Sequence, residues 1–245
     1  MHQKQSYDPV TLSGLLFSRP LYDYSTSVLN ACSPFAQVRF EVLSDLKLTL
    51  GARYSHDELH GYGDQQTGTQ PPLTTLPGSQ VDDRRSVNEF TYKSALDYQF
   101  TPDVLGYVSV SRGYKGATYG TIPMTAPPAR PEVLQAYEVG FKSDLFNHML
   151  RLNSSAFWYD IKNQQVITTP VPGVALTSNA PKSRIKGIES ELEIAPTARL
   201  RLRAAVTYLD AKYVSYPDAG LTAPNPYPPL NPLAPPPGAP GGEPD

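Results

Sequence analysis

The chain has 245 residues, enough for one large or two small domains. Lys and Arg number 21 against 23 Asp and Glu, a net charge of −2 that excludes the basic footprint of a nucleic-acid-binding protein. No apolar run approaches the ~20 residues of a membrane-spanning helix, which excludes a helical membrane protein.

Residues 1–34 hold no sustained period and are broken by Pro9, Pro20 and Pro34, so they read as an irregular loop segment. Cys32 within it is the only cysteine, so it reads as a spare thiol with no internal disulfide partner. No charged stretch followed by an apolar one opens the chain, so no signal peptide is read.

From residue 35 the residues alternate. Val38, Phe40 and Val42 share one face, and Leu46, Leu48, Leu50, Ala52 and Tyr54 share the next. A long polar stretch, about 56–85, follows. Phe90, Tyr92, Ser94, Leu96, Tyr98 and Phe100 then lead to Val104, Gly106, Val108 and Val110 across the turn-like link Thr101-Pro102-Asp103. A loop over about 116–131 carries Pro123, Pro127, Pro128 and Pro131. The third pair is Tyr137, Val139 and Phe141, then Leu150, Leu152, Ser154, Ala156 and Trp158, linked near 144–147. A third loop covers about 162–181.

The fourth pair has the clearest pattern. Ile188, Ser190, Leu192 and Ile194 face one way, with Glu189, Glu191 and Glu193 opposite; then Leu200, Leu202, Ala204, Val206 and Tyr208 oppose Arg199, Arg201 and Arg203. Period-two alternation is the strand signal. An apolar stripe opposite so charged a face needs two different solvents, as in a transmembrane β-barrel. The charges suggest a register in which Glu189 faces Arg203, Glu191 faces Arg201, Glu193 faces Arg199 and Leu192 faces Leu200. Beyond about 214 the alternation stops. Residues 216–245 hold 11 of the 26 prolines, and proline removes backbone donors, so a disordered or polyproline tail is expected there.

Short links thus join strands within pairs, and long loops join one pair to the next. The expected fold is all-β: an antiparallel up-and-down transmembrane β-barrel segment of about eight strands, with long loops at one end. The expected division is 1–34 irregular, 35–215 barrel and 216–245 tail.

Several phrases resemble TonB-dependent outer-membrane receptors. They are residues 105–115 (Leu-Gly-Tyr-Val-Ser-Val-Ser-Arg-Gly-Tyr-Lys), Pro131-Glu132 followed by 137–142 (Tyr-Glu-Val-Gly-Phe-Lys), and 151–166 from Arg151-Leu152-Asn153 through Trp158-Tyr159-Asp160 to Val166. Asn179-Ala180 with 185–191, and Tyr208 through Tyr213, continue in the same order. The resemblance covers about 35–215. It implies a 22-stranded barrel plugged by an N-terminal domain. It also implies active uptake of iron–siderophore complexes or similar chelates and residence in the Gram-negative outer membrane, among lipid and lipopolysaccharide. Coupling to the TonB complex is expected only through an N-terminal region that this sequence does not contain. On this reading the plug, the coupling box, the signal peptide, the last strands and the C-terminal aromatic are missing. The chain is then a fragment from the middle to later third of a barrel, not transport-competent alone, or one whose reading frame was lost near Tyr216. Two rivals stay open: a self-standing small outer-membrane barrel with a structural or adhesive role, and a soluble all-β binding module.

Local motifs carry no chemistry. His56-Asp57-Glu58-Leu59-His60 has the two-histidine spacing of a zinc-protease helix, but Asp57 stands where glutamate is required and Gly61 and Gly63 follow, so it reads as exposed loop. Ser183-Arg184-Ile185-Lys186 matches Ser-x-x-Lys but enters a strand and lacks its partner motifs. Arg112 has the lipid-facing parity at the outer rim, where it reads as a snorkelling residue, with contact to lipopolysaccharide as the sharper option. Tyr114, Tyr119, Trp158, Tyr208 and Tyr213 read as an aromatic girdle or rim. No nucleophile, base and orienter converge, so no enzyme is expected, and no catalytic, cofactor-binding or metal-binding residue is assigned.

Overall fold

The computed structural model describes residues 2–14, 17–68, 71–121, 124–168, 176–197 and 199–215, and contains no helix among them. The strands are β1 (His2–Gly14), β2 (Phe17–Cys32), β3 (Phe35–Leu43), β4 (Leu46–Thr67), β5 (Thr74–Thr75), β6 (Val81–Thr101), β7 (Val104–Lys115), β8 (Thr118–Thr121), β9 (Met124–Ala129), β10 (Glu132–Leu145), β11 (Leu150–Thr168), β12 (Leu176–Thr197) and β13 (Leu200–Ser215). The main sheet runs β1-β2-β4-β6-β7-β10-β11-β12-β13, with β3 and β5 also paired to β4. Every ladder is antiparallel. All eight strands expected from the alternation are present.

β2 and β3 form one interrupted strand. Cys32 faces His56 and Phe35 faces Arg53 in a single register along β4. The break falls at Pro34, which has no N–H to give, although its carbonyl still accepts from Tyr54 N at 3.1 Å. The wall is therefore nine strands wide, and among the described residues β1 and β13 are not paired with each other.

The irregular reading of 1–34 is corrected, since β1 and β2 fill most of that segment. Its prolines misled because they sit where the ladder tolerates them. Pro9 lies in the register shift between Tyr7 and Val10, and Pro20 in the shift opposite Leu12–Gly14. The polar stretch 56–85 is likewise mostly strand, because β4 runs on to Thr67 and β6 starts at Val81. The third loop shrinks in the same way, with β11 reaching Thr168 and β12 starting at Leu176. The tail 216–245 lies outside the described residues.

The short links share one rim. Asp45 O accepts from Gln99 N at 2.8 Å, Asp103 O from Asp144 N at 2.9 Å, and Met149 O from Ala195 N at 2.8 Å, so neighbouring turns are tied to one another. The connections after β4, β7 and β11 leave from the opposite rim. The β1–β2 link shares that rim but is short, with Gly14 facing Phe17.

Directly opposed residues share a face, so register converts alternation into rows. One row reads Phe40, Leu48, Leu96, Val108, Val139, Ala156, Ile188 and Tyr208, unbroken across eight strands. The neighbouring row on the other face reads Glu41, Lys47, Asp97, Tyr107, Gly140, Ser155, Glu189 and Thr207. The apolar row is open to its surroundings, with Val139 52% and Ile188 54% exposed. It starts near the turn in β4 and stands several residues above it in β12. That climb is the stagger of strands tilted to a barrel axis.

The charged hairpin keeps its faces but not its register. Glu189 faces Thr207, Glu191 faces Ala205, Leu192 faces Ala204 and Glu193 faces Arg203, a shift of four from the expected pairing. An irregularity between Ile194 and Thr197 lengthens the connection, and turn geometry overrides charge matching. An even slip preserves which side each residue faces. Glu193 gathers two guanidinium groups, Arg203 at 2.7 Å and Arg201 at 3.3 Å.

Candidate functional site: the concave face and its infolded loop

The ladders differ in height. β4 and β6 stay paired up to Gly63–Val81, and β11 and β12 up to Thr168–Leu176. Between them β6 and β7 part above Tyr92–Arg112, and β7 and β10 end at Lys115–Glu132. Two tall ribbons thus flank a low saddle. From that saddle the segment 116–131, expected as an open loop, folds into the β8–β9 hairpin, which touches β4 and β6 on one side and β12 on the other. In a flat sheet β4 and β12 would lie about 24 Å apart. A hairpin this small reaches both only if the sheet curves around it, so it sits on the concave face.

On the β4 side, the Tyr119 ring covers Leu59 and Gly61 and is 3% exposed. A Cβ on Gly61 would meet that ring at 2.7 Å, so only glycine leaves room for it. The Tyr119 hydroxyl donates to Asp83 Oδ2 and to Asp83 O, both at 2.9 Å. Burial, with the Asp83 carboxylate second, pushes this phenol far above the ordinary tyrosine range. Beside it Tyr114 OH donates to Asp57 Oδ2 at 2.8 Å. Ser55, fully buried, accepts from Arg53 Nε at 3.2 Å and from Ser33 at 3.0 Å.

On the far side, Arg130 N donates to Asn179 Oδ1 at 2.8 Å, and Asn179 Nδ2 donates back to Arg130 O at 3.1 Å. Gln165 Nε2 donates to Gly116 O at 2.8 Å and to Arg130 O at 3.0 Å. Both ends of the loop are therefore tied by amide groups to β11 and β12.

Towards the turn rim the concave face is charged. A depression of about 510 Å³ is lined by Arg151, Asn153, Glu191, Glu193 and Arg203. A second, of about 280 Å³, is lined by Tyr107, Glu138, Lys142, Ser155 and Glu189. There Tyr107 OH donates to Glu138 Oε1 at 2.5 Å, with Lys142 Nζ 5.9 Å from the Tyr107 ring centroid. Such a surface can hold polar or charged matter by hydrogen bonds and ion pairs.

The singled-out motifs fall as follows. His56–His60 lies in β4, neither helix nor loop. His56, Glu58 and His60 point outward, His56 to Asn88 and His60 to Asp82, both at 2.7 Å, while Asp57 points inward. Ser183 lies in β12 and bonds Gln164, not a base. Arg112 is not a snorkelling side chain: it turns into the gap where β6 and β7 part, bonding Glu89 at 2.8 Å and the Phe90 carbonyl. The expected girdle divides. Trp158, Tyr208 and Tyr213 are exposed, whereas Tyr114 and Tyr119 tie down the infolded loop. Cys32 is free and exposed, and lies in β2. The anchoring roles of Asp83, Arg130, Gln165 and Asn179 escaped sequence reasoning: Gln165 and Asn179 stand in phrases of the resemblance, but a single polar residue does not announce a partner on a distant strand.

Comparison with known proteins agrees with this architecture. The family described as "TonB dependent receptor-like, beta-barrel" matches residues 2–234, well beyond the span of the sequence resemblance on both sides. Among solved structures, the ferric yersiniabactin uptake receptor FyuA from Yersinia pestis superposes with a TM-score of 0.65 at 17% identity, over 85% of this chain and 31% of that one. The siderophore receptor PiuA from Acinetobacter baumannii gives 0.55 at 20% identity, over 81% of this chain and 27% of that one. In sequence, the metal-pseudopaline receptor CntO of Pseudomonas aeruginosa is 30% identical over 115 residues, 47% of this chain and 16% of its own length. The chain thus spans less than a third of the length of each of these three relatives. These are receptors and not enzymes, and the chain belongs to the TonB-dependent receptor β-barrel family.

Proposed function

We propose that the chain forms part of the outer-membrane wall of a receptor that takes up metal chelates of the siderophore type. The observation that carries this is the pair of adjoining rows: an apolar row on the convex side, six of its eight residues exposed, and a polar row on the concave side. A soluble protein has no use for an exposed apolar row that wide, whereas a barrel wall meets lipid with it. The family and the substrates named for FyuA and CntO support the chelate class. Among the described residues the nine-stranded sheet is open, and an open edge inside a membrane leaves backbone groups unpaired. This counts against a self-standing small barrel and supports a wall that other strands complete. On this reading the chain by itself does not drive energy-dependent uptake.

The test is expression behind an added export signal in a strain deleted for its chelate receptors, with fractionation of membranes and uptake of radiolabelled iron–siderophore. The chain should enter the outer-membrane fraction, require detergent for extraction and leave uptake at background. Release in buffer without detergent would refute the wall reading. Uptake dependent on the coupling complex would refute the claim of incompetence alone.

A further inference from the structure

Above the apolar band, the convex side of β11, β12 and β13 is unlike the rest of the wall. A tilted strand needs ~9–11 residues to span the membrane. Counted from the turns at Leu150, Thr197 and Leu200, that length ends near Trp158, Lys186 and Tyr208. Trp158 and Tyr208 fit the aromatic level of a membrane interface. The outward positions from there up are Asp160 and Lys162 on β11, Lys186, Arg184 and Lys182 on β12, and Asp210 and Lys212 on β13.

Arg184 and Lys186 have partners. Arg184 Nε lies 2.9 Å from Asp160 Oδ1, with its guanidinium carbon 4.4 Å from the Trp158 ring centroid. Lys186 lies 3.2 Å from Asp210. For Lys162, Lys182 and Lys212, no carboxylate of the described residues comes within ion-pair distance. Lys162 and Lys182 are directly opposed across β11 and β12, an arrangement that destabilises a sheet unless an anion sits between the two charges. Arg184 and Lys212 are opposed next to them. At the same height β4, β6 and β10 present His56, Glu58, Asn88 and Gln135, a mixed surface with no such excess.

We propose that this patch binds the phosphate groups of lipid A, the anchor of lipopolysaccharide in the outer leaflet. The patch faces lipid, stands at headgroup height and carries five cations against two carboxylates. A cationic pocket at that level selects anionic headgroups. The inference rests on the outer-membrane reading above.

The experiment uses the full chain, extracted from outer membranes in non-ionic detergent and titrated with fluorescent lipid A in the same micelles. Combined Lys162→Gln, Lys182→Gln and Lys212→Gln should weaken binding at least tenfold. The matching lysine-to-arginine variant should stay within twofold, as should Lys93→Gln with Lys142→Gln on the concave face. Lipid A stripped of its phosphates should bind the unchanged chain no better than intact lipid A binds the glutamine variant. Equal binding by the glutamine variant and the unchanged chain, with both in the outer-membrane fraction, overturns this proposal and leaves the wall reading standing. Equal loss from the concave-face variants overturns it too. Absence of the chain from the outer membrane overturns the wall reading and this proposal together.

Discussion

The lower ten or so residues of β4 and the residues above them belong to one strand yet obey different chemistry. From Leu46 to Tyr54 every second residue is apolar and faces outward. From Ser55 to Gly61 every second residue is buried, but it is Ser55, Asp57, Leu59 or Gly61, and it faces inward under the Tyr119 loop. On the proposed wall reading, one face below meets an apolar solvent and the other a polar interior. Above, the outer face carries His56, Glu58 and His60, which on the same reading meet water, while the inner face meets hydrogen-bonding protein. Alternating hydrophobicity below gives way to alternating burial above.

The largest way to test this contrast is a charge at mid-height on the convex side. Leu192→Arg puts a cation about five residues above the turn rim, opposite Ala204. It should cost about 2–4 kcal/mol in urea unfolding from lipid vesicles. His60→Arg, on the extension, should stay within about 0.5 kcal/mol. Equal costs would mean that both heights meet the same solvent.

A smaller effect is expected where the extension is closed from inside. Tyr119→Ala removes the ring that covers Leu59 and should cost about 2 kcal/mol of local opening. Protease cleavage within 116–131 should accelerate accordingly, and Gly61→Val should mimic it by displacing the ring. Tyr208→Ala, on the lipid side, should leave that cleavage rate unchanged.

The extension should also respond to pH. Asp23 on β2 is almost fully buried, and that burial raises its pKa above the ordinary aspartate value. A raised folded-state value means stability that is complete below the unfolded pKa and is lost as pH rises through the folded one. Hydrogen exchange of the β2–β4 ladder should therefore quicken as pH is raised through that window, after correction for the intrinsic exchange rate. Asp23→Asn should flatten the response, and the ladder at Leu46–Tyr98 should show none of it.

The smallest effect concerns the hairpin whose register was misjudged. Glu193→Ala and Arg203→Ala should be non-additive, with a coupling that shrinks as salt rises. Glu191→Ala and Arg201→Ala should add, because Glu191 faces Ala205.

These contrasts also explain what could be read from the residues. The eight banded strands and their turns were legible, because Leu96, Val108 and Ile188 announce an apolar stripe on one face at period two. β1 and β2 were not: in β2 the inward residues include Asp23 and Ser25, buried but polar. The fourth-hairpin register was legible only to parity, since three glutamates and three arginines offer several charge-matched alignments and the turn decides among them. The infolded loop was illegible because Tyr119 meets Asp83, and Arg130 meets Asn179, only after the sheet has curved.

The central claim is that the two faces of this wall meet different solvents at the same height. Spin labels on single cysteines, in a Cys32→Ser background reconstituted in lipid, test it directly. Labels at Leu96, Val108 and Val139 should collide readily with oxygen, which concentrates in lipid, and poorly with a water-soluble nickel chelate. Labels at the adjacent Asp97, Ser109 and Glu138 should do the reverse. If all six labels behave alike, the alternation does not divide lipid from a polar interior, and the barrel-wall account fails.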